Sequence, residues 1–285
     1  MSAKVLDGKS VRDQILAELR PRIDKLKANH RPPGLAVILV GNDPASEIYV
    51  RNKIKTCGDM GIYSEKITLP DTISTEELLG IIEGLNQRSE IDGILVQTPL
   101  PKQVDKHRVL VSLLPEKDVD GFHPINVGYL VAGIPAPRAC TPAGIMDMLR
   151  RYEIPLAGKK AVVVGRSDIV GKPMALMLLH QNATVTICHS KTQDLAGECR
   201  RADILVVAIG RAAFITRDFI KPGATVIDVG INRKPDAKLI GDVDPDAMKE
   251  VASAYTPVPG GVGPLTISML MANTVRAAEQ RLCSK

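Results

Sequence analysis

Apolar positions along the chain follow two periods. Short β-branched runs at Gly34–Val40, Asp92–Val96, Ala161–Val164, Ala183–Cys188, Ile204–Ile209 and Thr225–Val229 have the length of strands buried on both faces. Helical periodicity marks Gly8–Ala28, Ser46–Met60, Ser74–Asn86, Pro173–Leu179 and Leu265–Arg281. Strands alternating with helices predict parallel sheets covered by helices, and two series of strands predict two α/β domains. The Gly- and Pro-dense stretch Asp118–Pro142 has weak periodicity and is expected to hold the boundary. Thr141-Pro142 then caps a helix running to about Tyr152. The expected division is 1–120 plus the last helix, 265–285, against 121–264.

The second domain opens on a strand, a glycine turn and a helix with Pro in its first turn. Ala161–Val164 leads into Gly165-Arg166-Ser167-Asp168-Ile169-Val170-Gly171-Lys172-Pro173. Unpaired N–H groups and the helix dipole make such a turn an anion site. The turn is not G-x-G-x-x-G, and a bare βα turn has the same look. In a Rossmann-type sheet the end of the next strand faces the adenosine ribose, and an acid there selects NAD. Here that strand ends in His189-Ser190-Lys191-Thr192, without an acid, and Arg166 adds a guanidinium suited to a phosphate. The expected cofactor is NADP. The strands ending in Ala208-Ile209-Gly210 and Asp228-Val229-Gly230-Ile231 deliver their carboxyl ends to the nicotinamide side. The cofactor candidates in this stretch are Gly165, Arg166, Ser167, Ile169, Val170, Gly171, Ser190, Gly210 and Ile231.

In the first domain Asp43-Pro44 reads as a helix cap, and on the helix that follows Tyr49 and Lys53 share a face. Alone, the pair reads first as a surface lysine lying along a half-buried ring. Gln97 closes a buried strand, where ligands collect, and Asp118 and Asp120 alternate in Lys117-Asp118-Val119-Asp120. A surface turn accounts for the two carboxylates as well, and no third ligand makes them a metal site.

Composition narrows the partners. With no Trp, three Phe and five Tyr, the cores are aliphatic and a base-stacking surface is not expected. A net charge of +5 suits an anionic small molecule without calling for nucleic acid. The five scattered cysteines form no C-x-x-C pair, which points to a reducing compartment. With no apolar signal core and no run of membrane-spanning length, a cytoplasmic protein with no membrane partner is expected.

Taken in order, Ser46–Lys53, Gly93–Pro101, Pro115–Phe122, Cys140-Thr141-Pro142, Gly165–Pro173, His189–Thr192 and Pro257–Thr266 resemble the bifunctional methylenetetrahydrofolate dehydrogenase/cyclohydrolase family. The chain departs from the family's usual residues at Thr98, Ala139, Leu265 and Asp168, the last an acid beside the expected phosphates. The resemblance implies two α/β domains around a cleft and tetrahydrofolate derivatives as substrates. It also implies a homodimer and a place in one-carbon metabolism that supplies purine synthesis. Two reactions are implied: oxidation of 5,10-methylenetetrahydrofolate by NADP, then hydrolysis to 10-formyltetrahydrofolate. The resemblance assigns Lys53, Gln97, Tyr49 and Asp120 to catalysis, with Tyr49, Asp120, Pro259, Gly260, Gly261 and Val262 on the folate, and adds Thr141 to the cofactor set. A non-catalytic binding module and a shikimate-dehydrogenase-like enzyme are the rival readings.

Overall fold

The computed structural model describes residues 3–234, 236 and 238–283. In chain order the elements are β1 (Lys4–Val5), α1 (Gly8–Asn29), β2 (Gly34–Val40), α2 (Pro44–Met60), β3 (Tyr63–Leu69), α3 (Thr75–Gln87), β4 (Gly93–Val96), α4 (Lys106–Ser112) and α5 (Pro124–Ala132). There follow α6 (Cys140–Arg151), β5 (Lys160–Val164), α7 (Gly171–His180), β6 (Thr184–Cys188), α8 (Leu195–Cys199), β7 (Ile204–Val207) and β8 (Thr225–Asp228). The chain closes with β9 (Asn232–Arg233), β10 (Leu239–Ile240), α9 (Pro245–Val251), β11 (Ala254–Tyr255) and α10 (Gly263–Cys283). Two compact units result, one of Gln14–Arg138 with Leu270 onward, the other of the chain up to Asp13 with Ala139–Met269.

The unit holding 14–138 is built on a three-stranded parallel sheet in the order β3-β2-β4. Every residue of β2 is buried, and Ile38, Val40, Leu78, Ile82 and Ile94 share one aliphatic core. Asp43 caps α2 by accepting the Ser46 amide at 2.8 Å, with Pro44 following it. Ser74 and Glu77 form a reciprocal capping box at the start of α3. The strand β3 carries no sequence signal because it is an edge strand. Only one ladder holds it, and its residues Tyr-Ser-Glu-Lys-Ile-Thr-Leu are all exposed or half-buried.

The other unit contains a six-stranded parallel sheet in the order β1-β11-β8-β7-β5-β6. Val162, Val164, Leu205, Val207 and Val226 fill its core. The two-residue strand β1 belongs to this sheet through its pairing with β11, so residues 1–13 group with the later unit and not with 14–120.

The stretch expected to be an irregular boundary differs most from the sequence reading. Residues 124–132 form α5, with His123 Nδ1 accepting the Ile125 amide at its start and Gly133 closing it at φ +72°. Apolar residues on several faces, among them Ile125, Tyr129 and Val131, remain exposed, so the helix has no amphipathic period to read. Lys117-Asp118 is not a surface turn. Both residues are 1% exposed. Asp118 accepts the Gly121 amide at 3.1 Å, the His123 amide at 2.7 Å and the Asn126 side-chain amide at 2.9 Å, which turns the chain into α5. Thr141 is not a helix cap either. Ala139 stands at the cap position of α6, and the Thr141 hydroxyl meets that of Thr266 at 2.9 Å.

Lys117 fixes this segment. Its ammonium donates to the carbonyls of Leu85, Asn86 and Arg88 at 2.9, 2.7 and 2.8 Å, satisfying the open C-terminal end of α3. Its own carbonyl accepts the Ile94 amide at 2.8 Å, and burial pulls its pKa down to about 8. Lys117→Met leaves three inward-facing carbonyls without their donor. It is expected to lower stability in urea unfolding by about 2–4 kcal/mol. A loss below about 0.5 kcal/mol would mean that water replaces the ammonium without cost.

Candidate active site

Parallel strands deliver their carboxyl ends to one edge of the sheet, and the unit holding 14–138 gathers its polar candidates there. The ladder between β2 and β4 continues through the Gln97 amide, which donates to the Ile38 carbonyl at 2.9 Å. The segment Lys117–Asp120 runs parallel to β4, with Asp118 bridged to Ile94. Asp120 lies two residues further on, within reach of the Lys53 charge.

From α2, the Lys53 ammonium donates to Gln97 Oε1 at 3.0 Å, while Gln97 Nε2 donates to the Thr98 carbonyl at 2.7 Å. Gln97 is therefore held at both ends of its amide, and it holds the ammonium. Burial pushes the Asp120 carboxyl up to about 6; Lys53 pulls it down and Asp118 pushes it further up. Tyr49, one turn before Lys53 on α2, is 44% exposed and presents its ring to solvent. A lysine, an amide and a carboxyl group that titrates near neutral pH form a set that can hold and pass protons.

The other unit carries the glycine turn. Gly165 has φ +132°, and a Cβ there would lie 2.3 Å from the Ala208 carbonyl oxygen, so the turn admits no side chain. The Ser167 hydroxyl accepts the amides of Val170 and Gly171 at 3.2 and 3.3 Å at the start of α7. Asp168 is 83% exposed and pairs with Lys172 at 2.5 Å. Pairing of Val164 with Cys188 sets the end of β5 beside that of β6, so Arg166 and Ser190, both exposed, stand on adjacent strand ends. His189 shapes this second turn: its amide donates to Thr192 Oγ1 at 2.8 Å and its Nδ1 accepts the Lys191 amide at 3.1 Å. Ile169 is 43% and Ile231 46% exposed, and Gly210, at φ +65°, follows β7. The loop containing Pro259, Gly260, Gly261 and Val262 belongs to this unit. It is braced by Gly261 N donating to the Pro257 carbonyl at 2.8 Å and Gly8 N donating to the Gly260 carbonyl at 2.9 Å.

Two family models match the chain. Residues 6–120 match the catalytic domain of tetrahydrofolate dehydrogenase/cyclohydrolase, and residues 139–282 match its NAD(P)-binding domain. The chain belongs to the tetrahydrofolate dehydrogenase/cyclohydrolase family. It is 67% identical to the bifunctional protein FolD of Solibacter usitatus, over 98% of both chains. Among solved structures it is similar to the bifunctional FolD enzyme of Campylobacter jejuni, with 48% identity, a TM-score of 0.96 and coverage of 98% and 99%. It is also similar to the FolD of Trypanosoma brucei, solved with NADP cofactor and inhibitor, with 38% identity, a TM-score of 0.94 and 99% of both chains covered. Membership decides between the rival readings, because both matched domains are those of the folate family, one of them its catalytic domain.

In this family member Lys53, Gln97, Asp120 and Tyr49 lie in one unit, while the cofactor candidates and Pro259–Val262 lie in the other. The sequence reading named Lys117, Asp118 and Asp228 without seeing that they are buried and hold the neighbouring loops, and it missed Asp242 altogether. The signal available was a charged residue next to a glycine or a strand end, and a solvated turn gives the same signal. Among the described residues no cluster of His, Cys, Asp and Glu is arranged to hold a metal ion.

The Asp120 carboxyl is expected to titrate near pH 6 in carbon-13 spectra of the labelled protein, assigned by loss of the signal in Asp120→Asn. Its raised value means that the folded protein binds a proton here that the unfolded chain releases. Wild type therefore gains stability relative to Asp120→Asn as pH falls from 7 towards 4. A titration below pH 4.5 would remove the burial argument.

Proposed function

We propose that this chain performs both reactions of its family, with NADP as the cofactor. 5,10-Methylenetetrahydrofolate gives up a hydride to become the 5,10-methenyl cation; water then adds to that carbon and its bond to N5 breaks, leaving 10-formyltetrahydrofolate and a released proton. The observation that carries this reading is the Lys53–Gln97 pair set beside Asp120 at the carboxyl ends of β2 and β4. The hydride step needs no protein nucleophile; bound NADP supplies the acceptor, and the chain supplies orientation. In the hydrolytic step Lys53 passes protons between the attacking water and N5, and Gln97 keeps its amine aimed. Asp120 accepts from the donor edge of the pterin, and the Tyr49 ring packs against the substrate's aromatic rings. Pro259, Gly260, Gly261 and Val262 are assigned to the folate as well.

For the cofactor, Gly165, Ser167, Ile169, Val170 and Gly171 line the turn, Arg166 and Ser190 take the 2′-phosphate, and Thr141, Gly210 and Ile231 contact the remainder. The acid-free turn after β6 supports NADP over NAD, as does the NADP bound to the Trypanosoma brucei relative. In the same reading the protein is a cytoplasmic homodimer. Cys57, Cys188 and Cys199 are buried and form no disulfide, and no described helix is long and apolar enough to cross a membrane. Strand β6 is an open sheet edge with Ile187 42% exposed, which a second copy can cover.

Lys53→Met is expected to lower hydrolysis of the methenyl substrate by at least about 100-fold, while folate affinity by calorimetry stays within a few-fold. Undiminished hydrolysis would overturn the role of Lys53. Assayed side by side, NADP+ is expected to be preferred to NAD+, and Arg166→Ala to cut that preference by about tenfold or more. Equal use of both cofactors by wild type would overturn the reading of Arg166 and Ser190.

A further inference from the structure

Two fully buried carboxylates stand behind the ends of β7 and β8. Asp242, 0% exposed, accepts the amides of three successive residues leaving β7: Ile209 at 2.7 Å, Gly210 at 2.9 Å and Arg211 at 2.8 Å. Its fourth donor is the Asn232 side-chain amide at 2.9 Å, from the loop leaving β8. Asp228, the last residue of β8 and 1% exposed, accepts the amides of Gly230, Asp242 and Val243, each at 2.9 Å. Three loops, at 209–211, 230–232 and 241–243, thus close on one pair of side chains. The glycines beside them make room: a Cβ at Gly230 would lie 2.3 Å from Asp242 Cγ, and one at Gly241 would lie 1.8 Å from Asp228 Oδ2.

A carboxylate can accept at both oxygens from several amides at once, and such charge-assisted bonds are stronger than neutral ones. Three consecutive amides aimed at one group fix the backbone of 209–211 in a way that ladder bonds past the strand end cannot. The side of those residues turned away from Asp242 is then fixed too. At Gly210, φ is +65° and no atom lies within 4 Å of where a Cβ would stand, so this backbone is open on its outer side.

We propose that Asp242 is a positioning residue for the nicotinamide half of the cofactor. By holding residues 209–211 directly and residue 232 through its side chain, it sets the surface that Gly210 and Ile231 present. This rests on the reading of Gly210 and Ile231 as cofactor contacts. Asp228 serves Asp242 in turn, since it holds the Asp242 amide and so aims its side chain.

The test uses the full chain with Asp242→Asn. This change keeps the shape but turns one acceptor into a donor facing other donors. We expect the KM for NADP+ to rise about tenfold or more, with KM for the methylene substrate within about twofold. Hydrolysis of preformed methenyl substrate, assayed without cofactor, is expected to keep its rate. The preference for NADP+ over NAD+ is also expected to persist, because the change lies away from the 2′-phosphate. A folded Asp242→Asn protein with unchanged KM for NADP+ would overturn the proposal. If that variant loses its cooperative melt, Asn232→Ala decides: a rise in KM for NADP+ of about threefold or more supports the proposal, and none overturns it. A wild type that neither binds nor reduces NADP+ overturns the functional reading itself, and this proposal with it.

Discussion

Uniform strand direction is the constraint on which both units depend. Strands β2, β3 and β4 are parallel, as are the six strands of the other sheet. Parallel strands buried on both faces leave no polar position along their length, so side chains able to do chemistry collect where the strands end. Gln97 follows β4, Gly165 follows β5, Ser190 follows β6, Gly210 follows β7, and Asp228 ends β8. The interior of each sheet is aliphatic and interchangeable in kind, while its carboxyl edge is not.

A polar edge of this kind needs support, because loops beyond the last ladder bond have no regular partners. The chain supplies that support with buried charge. Lys117 satisfies three carbonyls at the end of α3, and Asp118, Asp228 and Asp242 each collect several amides from the loops around them. Burying an unpaired charge is costly, so these groups persist only with their partners, and their partners are thereby fixed in place. Asp120 is different. Burial raises its carboxyl's affinity for a proton, with Lys53 opposing and Asp118 reinforcing that shift. Two carboxylates two residues apart thus differ in surroundings: Asp118 is spent on loop amides, and Asp120 lies within reach of the Lys53 charge.

Much of this was legible along the chain. Six strands were marked by β-branched runs, the start of α2 by Asp43-Pro44, and the glycine turn by Gly165 and Gly171. Five of the six are buried, whereas β6, expected to be buried on both faces, is an edge strand with only Cys188 buried. Strand β3 and helix α5 were not. The edge strand β3 is polar on its outer faces, and α5 exposes apolar residues on several sides, so neither has the period that reveals an element. Tyr49, Lys53, Gln97 and Asp120 were each visible as residues, and their grouping came from resemblance to a family.

What the sequence determined by itself was therefore whatever local pattern encodes: parallel α/β architecture, the glycine turn, and the absence of an acid after β6. Tertiary structure decided the rest. It put Lys53 at 3.0 Å from Gln97 across 44 residues of chain, buried Lys117 under α3, and paired the exposed Asp168 with Lys172. It also placed Asp228 and Asp242 behind the loops they hold. These are pairings of single polar side chains over long separations. No periodicity records them, because each depends on where the strand register brings two distant ends together.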